Sequence, residues 1–109
     1  MNINNIDFAD SNILSYNVDI DNLTLFLECW NATVIEMKFL NYVSLSSTNY
    51  FRISDFQEVY QSALLDKTLD EFYELRPKEH PFRIFKFIHD DLTTLEIICE
   101  NISIKTKEI

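Results

Sequence analysis

The chain contains no glycine in 109 residues, and this limits its turns more than any other feature. Wherever the backbone needs a positive φ, a residue bearing a Cβ must adopt it, and Asn and Asp do so at least cost. Phosphate-cradling loops, dinucleotide fingerprints and nucleophile elbows are built on glycines that let the backbone approach a ligand or turn sharply. None is present, which counts against nucleotide-dependent chemistry and the usual hydrolases.

Between such turns the chain reads mainly as strands. Residues 14–20 alternate apolar and polar side chains, the mark of a half-buried strand. Asp21-Asn22 supplies a hairpin turn without glycine. Alternation then resumes with Leu23, Leu25, Leu27 and Cys29 on one face. Asn31-Ala32 makes the next turn, and Ile35, Met37 and Phe39 mark a third strand. Parity becomes ambiguous over residues 40–45, which predicts a bulge or bend.

The period then changes. Ser54 and Gln57 form a capping box, and Phe56, Val59, Tyr60, Ala63 and Leu64 share one helical stripe. A second box, Thr68 to Glu71, restarts a short helix that ends before Arg76-Pro77. Strand character returns at residues 82–88, His89-Asp90-Asp91 turns the chain, and a last strand bends near Asn101. The expected fold is α+β. It has an antiparallel sheet of about five strands, in the order βββ-α(α)-ββ, with one or two helices on one face. Residues 1–109 read as a single domain, with 1–10 a loosely ordered N-terminal segment. Nine Phe and five Tyr argue against disorder.

Charge is unevenly spread along this chain. Residues 1–75 hold 12 acidic and three basic side chains and residues 76–109 hold six of each, so the net charge of −9 belongs to the first part. Such a field repels nucleic acid and anionic membranes and attracts basic proteins. The start Met1-Asn2-Ile3-Asn4-Asn5 has no cation followed by an apolar run, and no run is long enough to cross a bilayer. A cytoplasmic location is expected. There Cys29 and Cys99 are small buried hydrophobes, bridged only if their strands are neighbours. The three Asn-x-Ser/Thr sites at Asn22, Asn31 and Asn101 carry no glycosylation in such a compartment.

Candidate chemistry is sparse. Asn17, Asp19, Asp21 and Glu28 fall at positions one, three, five and twelve of a calcium loop. Asn22, however, stands where the sharp turn needs glycine, and both flanks read as strands. Hairpin polarity accounts for these residues. His89, Asp90 and Asp91 suggest a divalent metal or proton transfer, but three adjacent side chains at a hairpin tip cannot converge on one point. His80 is a loop residue without an evident partner. No cofactor is implied. The acidic set Asp66, Asp70, Glu71 and Glu74 is more suggestive. Asp66, Asp70 and Glu74 fall at i, i+4 and i+8 and with Glu71 form a ridge whose like-charge repulsion costs about 0.2–0.5 kcal/mol per pair. Asp70 and Glu71, in the first turn of the expected second helix, recover some of this from the helix dipole. A plain solvated helix face explains the same residues. The functional alternative is a landing site for a basic protein, with Tyr73 or Trp30 as aromatic anchor and Asp19, Asp21 and Trp30 as a second patch.

Three runs carry a resemblance: residues 12–19 leading into 23–27, residues 37–43, and residues 95–104. In this order they resemble small bacterial α+β proteins among the immunity proteins of polymorphic toxin systems, over roughly residues 10–104. Members usually carry a glycine in the last hairpin, where this chain has Asp90-Asp91. The resemblance implies a stoichiometric inhibitor without catalytic residues that binds a cognate toxin domain. The rival expectations are a phage-type DNA mimic or nuclease inhibitor, a small metal-dependent enzyme using His89, Asp90 and Asp91, and a merely structural subunit. Oligomeric state is left open.

Overall fold

A computed structural model describes residues 7–48 and 52–107. The antiparallel α+β architecture is as expected, but the described residues form two sheets and one helix. The strands are β1 (Ser11–Val18), β2 (Asn22–Glu28), β3 (Val34–Leu40), β4 (Ser44–Ser47), β5 (Arg52–Ile53) and β6 (Asp55–Val59). Helix α1 (Ala63–Phe72) follows, then β7 (Arg83–His89), β8 (Leu92–Cys99) and β9 (Asn101–Lys107). One sheet runs β5-β1-β2-β3-β9 and the other β4-β8-β7-β6. Among the described residues no helix is long and apolar enough to cross a membrane.

The layers follow from period-two patterning. In β2 and β3, Leu23, Leu25, Leu27, Ile35, Met37 and Phe39 are buried and their neighbours only half-buried. This face packs on Phe85, Phe87, Leu95, Ile97 and Cys99 of the second sheet. Phe8 belongs to the same core, inside the segment expected to be loosely ordered; residues 1–6 of that segment lie outside the described residues. The opposite face of the second sheet offers Ile84 and Ile98, and α1 covers them with Leu65 and Leu69. The result is a sheet-sheet-helix stack.

Two places of ambiguous parity are where the chain changes sheets. After β3, Asn41 takes φ 53° and the chain crosses to β4. At Glu100 it crosses back, from β8 into β9. The crossings are laced together: Glu100 N donates to Leu40 O at 3.0 Å and Val43 N to Ile98 O at 2.8 Å. A residue bridging two sheets has no constant inner face, so its alternation breaks.

The expected first helix is overturned. Residues 55–59 form β6, paired with β7 from Asp55↔Ile88 to Val59↔Ile84. Ser54 caps nothing; its hydroxyl donates to Ile88 O at 3.1 Å. Phe56 stacks on Phe85 with centroids 5.6 Å apart and the planes nearly parallel. A cross-strand aromatic pair over a forming core outweighs the weak preference of a capping box. The actual cap is Ser62, whose Oγ accepts from Leu65 N at 3.0 Å. Thr68 starts no second helix. It lies buried inside α1 and donates to Leu64 O at 2.8 Å. The helix ends at Phe72, well before Pro77.

Candidate protein-binding surface

The acidic ridge is real in part. Asp66, Asp70 and Glu71 lie exposed on α1, whereas Glu74 lies beyond its end. Asp70 and Glu71 fall in the last turn rather than the first, where the dipole disfavours anions and no basic residue offsets them. Arg76, just past the helix, supplies the missing cation. Its Nε and Nη2 reach the two Asp70 oxygens at 2.6 and 2.7 Å, and its Nη1 lies 3.5 Å from Asp66 Oδ1. The hydrogen bonds to Arg76 hold the Asp70 carboxyl below its ordinary range, and Asp70 in turn holds the guanidinium protonated. Two of the four ridge carboxylates thus share one cation, which cancels half of their charge. Among the described residues, Glu71 and Glu74 have no ion pair.

The same device recurs across the fold. Arg83 forks onto Glu58 at 2.8 and 2.9 Å, and Lys105 pairs with Glu36 at 2.9 Å. Cations from the balanced second part of the sequence fold back onto carboxylates of the acidic first part. Eight carboxylates of the first part, Asp7, Asp10, Asp19, Asp21, Glu28, Asp55, Glu71 and Glu74, are left without an ion pair among the described residues, against three such cations, Lys38, Arg52 and Lys67.

The expected second patch does not assemble. Asp19 and Asp21 sit in the turn between β1 and β2, closed by Asp19 N donating to Asn22 O at 2.8 Å. Trp30, 62% exposed, follows the far end of β2. Seven extended residues separate the two ends, roughly 20 Å. Tyr73 caps the C-terminal end of α1 and is 37% exposed, beside Glu74.

Other candidates carry little chemistry. Asn17, Asp19, Asp21 and Glu28 are spread along the β1–β2 hairpin, and Asp19 Oδ1 accepts from Ile20 N at 2.7 Å, so they form no calcium loop. His89 Nε2 lies 3.2 Å from Asp90 Oδ2, and no group of three metal-ligating side chains occurs among the described residues. Cys29 and Cys99 are free, on opposite sheets and at opposite ends of the core. Burial pushes the Cys99 thiol up to about 12 and raises that of Cys29, so neither is a ready nucleophile. A cleft of about 200 Å³ is lined by Glu58, Tyr60, Leu65, His80, Phe82 and Arg83. Its one carboxylate and its guanidinium are bonded to each other, which leaves no free charge to grip a ligand.

One feature escaped sequence reasoning. Tyr16 and Val18 point to the core side of the first sheet, beside Leu25 and Leu23, yet they are 52% and 48% exposed, and Leu14 and Ile20 are exposed too. Alternation shows which residues share a face, and nothing in it shows that the opposing sheet stops short of β1. No family model, curated protein or solved structure matches this chain.

Proposed function

We propose that this chain is a non-catalytic acidic binding protein, an immunity-type inhibitor that neutralises a cognate basic, nuclease-like toxin domain by direct contact. The observation that supports it is the residue of charge left after internal pairing. Arg76, Arg83 and Lys105 pair with carboxylates of the first part, and still eight of its carboxylates, Asp10, Asp19, Asp21, Glu28, Glu71 and Glu74 among them, stand without an ion pair against three unpaired cations among the described residues. An inhibitor of a nucleic-acid enzyme must reach its target before the substrate does, and a strong field of the sign of nucleic acid accelerates that encounter. Glu71, Glu74 and Tyr73 form the helix-side contact, an aromatic group flanked by free carboxylates.

The test is capture of the protein encoded next to this gene by the purified chain, followed by association kinetics over a range of salt. A one-to-one complex is expected whose on-rate falls steeply with ionic strength. Glu71→Lys/Glu74→Lys slows association by about tenfold while leaving the fold intact. A complex indifferent to salt and to this double reversal overturns the proposal, and so does a neighbour that does not bind.

A further inference from the structure

Among the described residues, β1 is the edge of its sheet beyond Asn12. Its neighbours are β5 and β2, and β5 reaches only Ser11 and Asn12. Beyond Asn12, no described residue pairs with its outer side. The direction of the backbone groups is fixed by the hairpin. Asp19 N donates to Asn22 O, and antiparallel pairing alternates, so Asn17 also turns toward Thr24 of β2. Tyr16 and Val18 therefore direct their N–H and C=O groups away from the sheet. Both side chains are half-exposed, and that of Tyr16 lines a small apolar cleft with Leu23, Leu25, Leu45, Ser47 and Leu95.

An edge with free backbone groups and apolar side chains is a template for another strand, and proteins usually blunt it with Lys, Pro or bulges. Here one bulge lies between Ile13 and Ser15, and residues 11–20 contain neither Lys nor Pro. What the edge has instead is carboxylates at its ends, Asp10 on one side and Asp19 and Asp21 on the other, all exposed. These select the occupant. In an antiparallel pairing of two copies over the stretch that β5 leaves uncovered, residues 13–18, Asp10 of one copy falls within about a residue of Asp21 of the other. Like charges placed opposite one another are destabilising, and each copy carries −9 overall. A second copy is thereby discouraged and a cationic chain favoured.

We infer that the β1 edge from Tyr16 to Val18 binds an extended segment of the partner by strand addition, the segment having an apolar centre and Lys or Arg at its flanks. Main-chain hydrogen bonds would supply affinity, and the apolar cleft and the flanking carboxylates would supply selectivity. This rests on the reading that the partner is a basic protein and adds the form of its contact.

The probe is a short synthetic peptide alternating Val and Thr between terminal lysines, titrated into the isotope-labelled full chain and followed by amide NMR. Saturable shifts are expected at the Tyr16 and Val18 amides. Replacing the terminal lysines by glutamates abolishes them, and Asp19→Asn/Asp21→Asn weakens binding by about tenfold. Val18→Pro removes only an outward N–H, so the hairpin survives and binding is lost; Tyr16→Lys gives a second, independent block. Shifts located on α1, or equal binding of the glutamate peptide, overturn the proposal. So does a concentration-dependent dimer with β1 amides protected in the absence of peptide, because the second copy would then be the occupant. If the neighbour-encoded protein binds with unchanged affinity to Val18→Pro and Tyr16→Lys, strand addition fails while the inhibitor reading stands. If the peptide binds at β1 and that neighbour does not bind at all, the inhibitor reading fails and the edge site remains.

Discussion

Arg76 closes on Asp70 as a fork, Nε 2.6 Å from Oδ1 and Nη2 2.7 Å from Oδ2. Both side chains are exposed, so the pair matters less for stability than for how the helix end titrates. Its hydrogen bonds hold the Asp70 carboxyl below the ordinary carboxylate range. A carboxylate whose folded pKa is depressed favours the fold above its unfolded pKa and loses that contribution as pH falls through the folded value. The expected outcome is specific to the fork. In Arg76→Ala, Asp70 titrates back in the ordinary range, measured by side-chain carboxyl NMR; Arg76→Lys, a point charge without the fork, recovers only part of the depression. An Asp70 titration unmoved by Arg76→Ala would assign the depression to another cause.

Two serines separate the observed helix from the one that a capping box suggests. Ser62 accepts from Leu65 N, whereas Ser54 donates to Ile88 O in the sheet and is exposed. Ser62→Ala should lower stability by about 1 kcal/mol. Ser54→Ala should cost only a few tenths, the usual range for an exposed site. Chemical denaturation of both variants decides the matter, and the reverse ranking would restore a helix beginning at Ser54.

What was legible in the chain follows from where local and tertiary signals agree. In β2 and β3 the inward residues are large and apolar and each strand stays in one sheet, so period two is clean; β8 is covered on both faces and buried throughout its second half. Asn101 marked a bend because parity changed there, and the change of sheet at Glu100 is its cause. Residues 54–64 misled because Phe56 and Val59 stand three apart, which fits a helical stripe as well as opposite faces of a strand. Their partners, Phe87 and Ile84, lie more than twenty positions further on. Of the candidate surface, exposure of Asp66, Asp70, Glu71 and Glu74 was foreseeable from their polarity. The Arg76 fork was not, since it depends on a chain reversal after Phe72. Trp30 stands only nine positions after Asp21 in the sequence, and the intervening strand β2 carries it to the opposite end of the hairpin.

The missing glycine has a measurable consequence at the last hairpin. Positive φ falls at Asp10, Ala32, Asn41, Asp90 and Asp91, and not at the expected Asp21-Asn22. Asp90 and Asp91 form a two-residue loop with φ 48° and 67°, where Asp followed by Gly is the favoured pair. Asp91→Gly should therefore stabilise the fold by about 0.5–1 kcal/mol, the relief of left-handed strain outweighing the added unfolded-state entropy. Thermal unfolding should show a midpoint a few degrees higher. A lower midpoint would mean that the Asp91 side chain holds the turn through contacts of its own.

Phe56 gives the sharpest contrast between the two readings of its segment. Its ring sits within reach of four others, 4.6 Å from Phe87, 5.2 Å from Phe8, 5.6 Å from Phe85 and 6.4 Å from Phe39. Truncation to Ala would leave a cavity between two sheets that cannot close over it, at a cost of about 3–5 kcal/mol. That is a large share of the 5–15 kcal/mol typical of a whole domain. Tyr60 would share the buried stripe of Phe56 if the segment were helical; as a residue just past a strand it is 82% exposed. Tyr60→Ala should accordingly change stability by no more than about 0.5 kcal/mol. Equilibrium denaturation of the two variants is the check, and comparable losses at both positions would contradict the strand and the sandwich built around it.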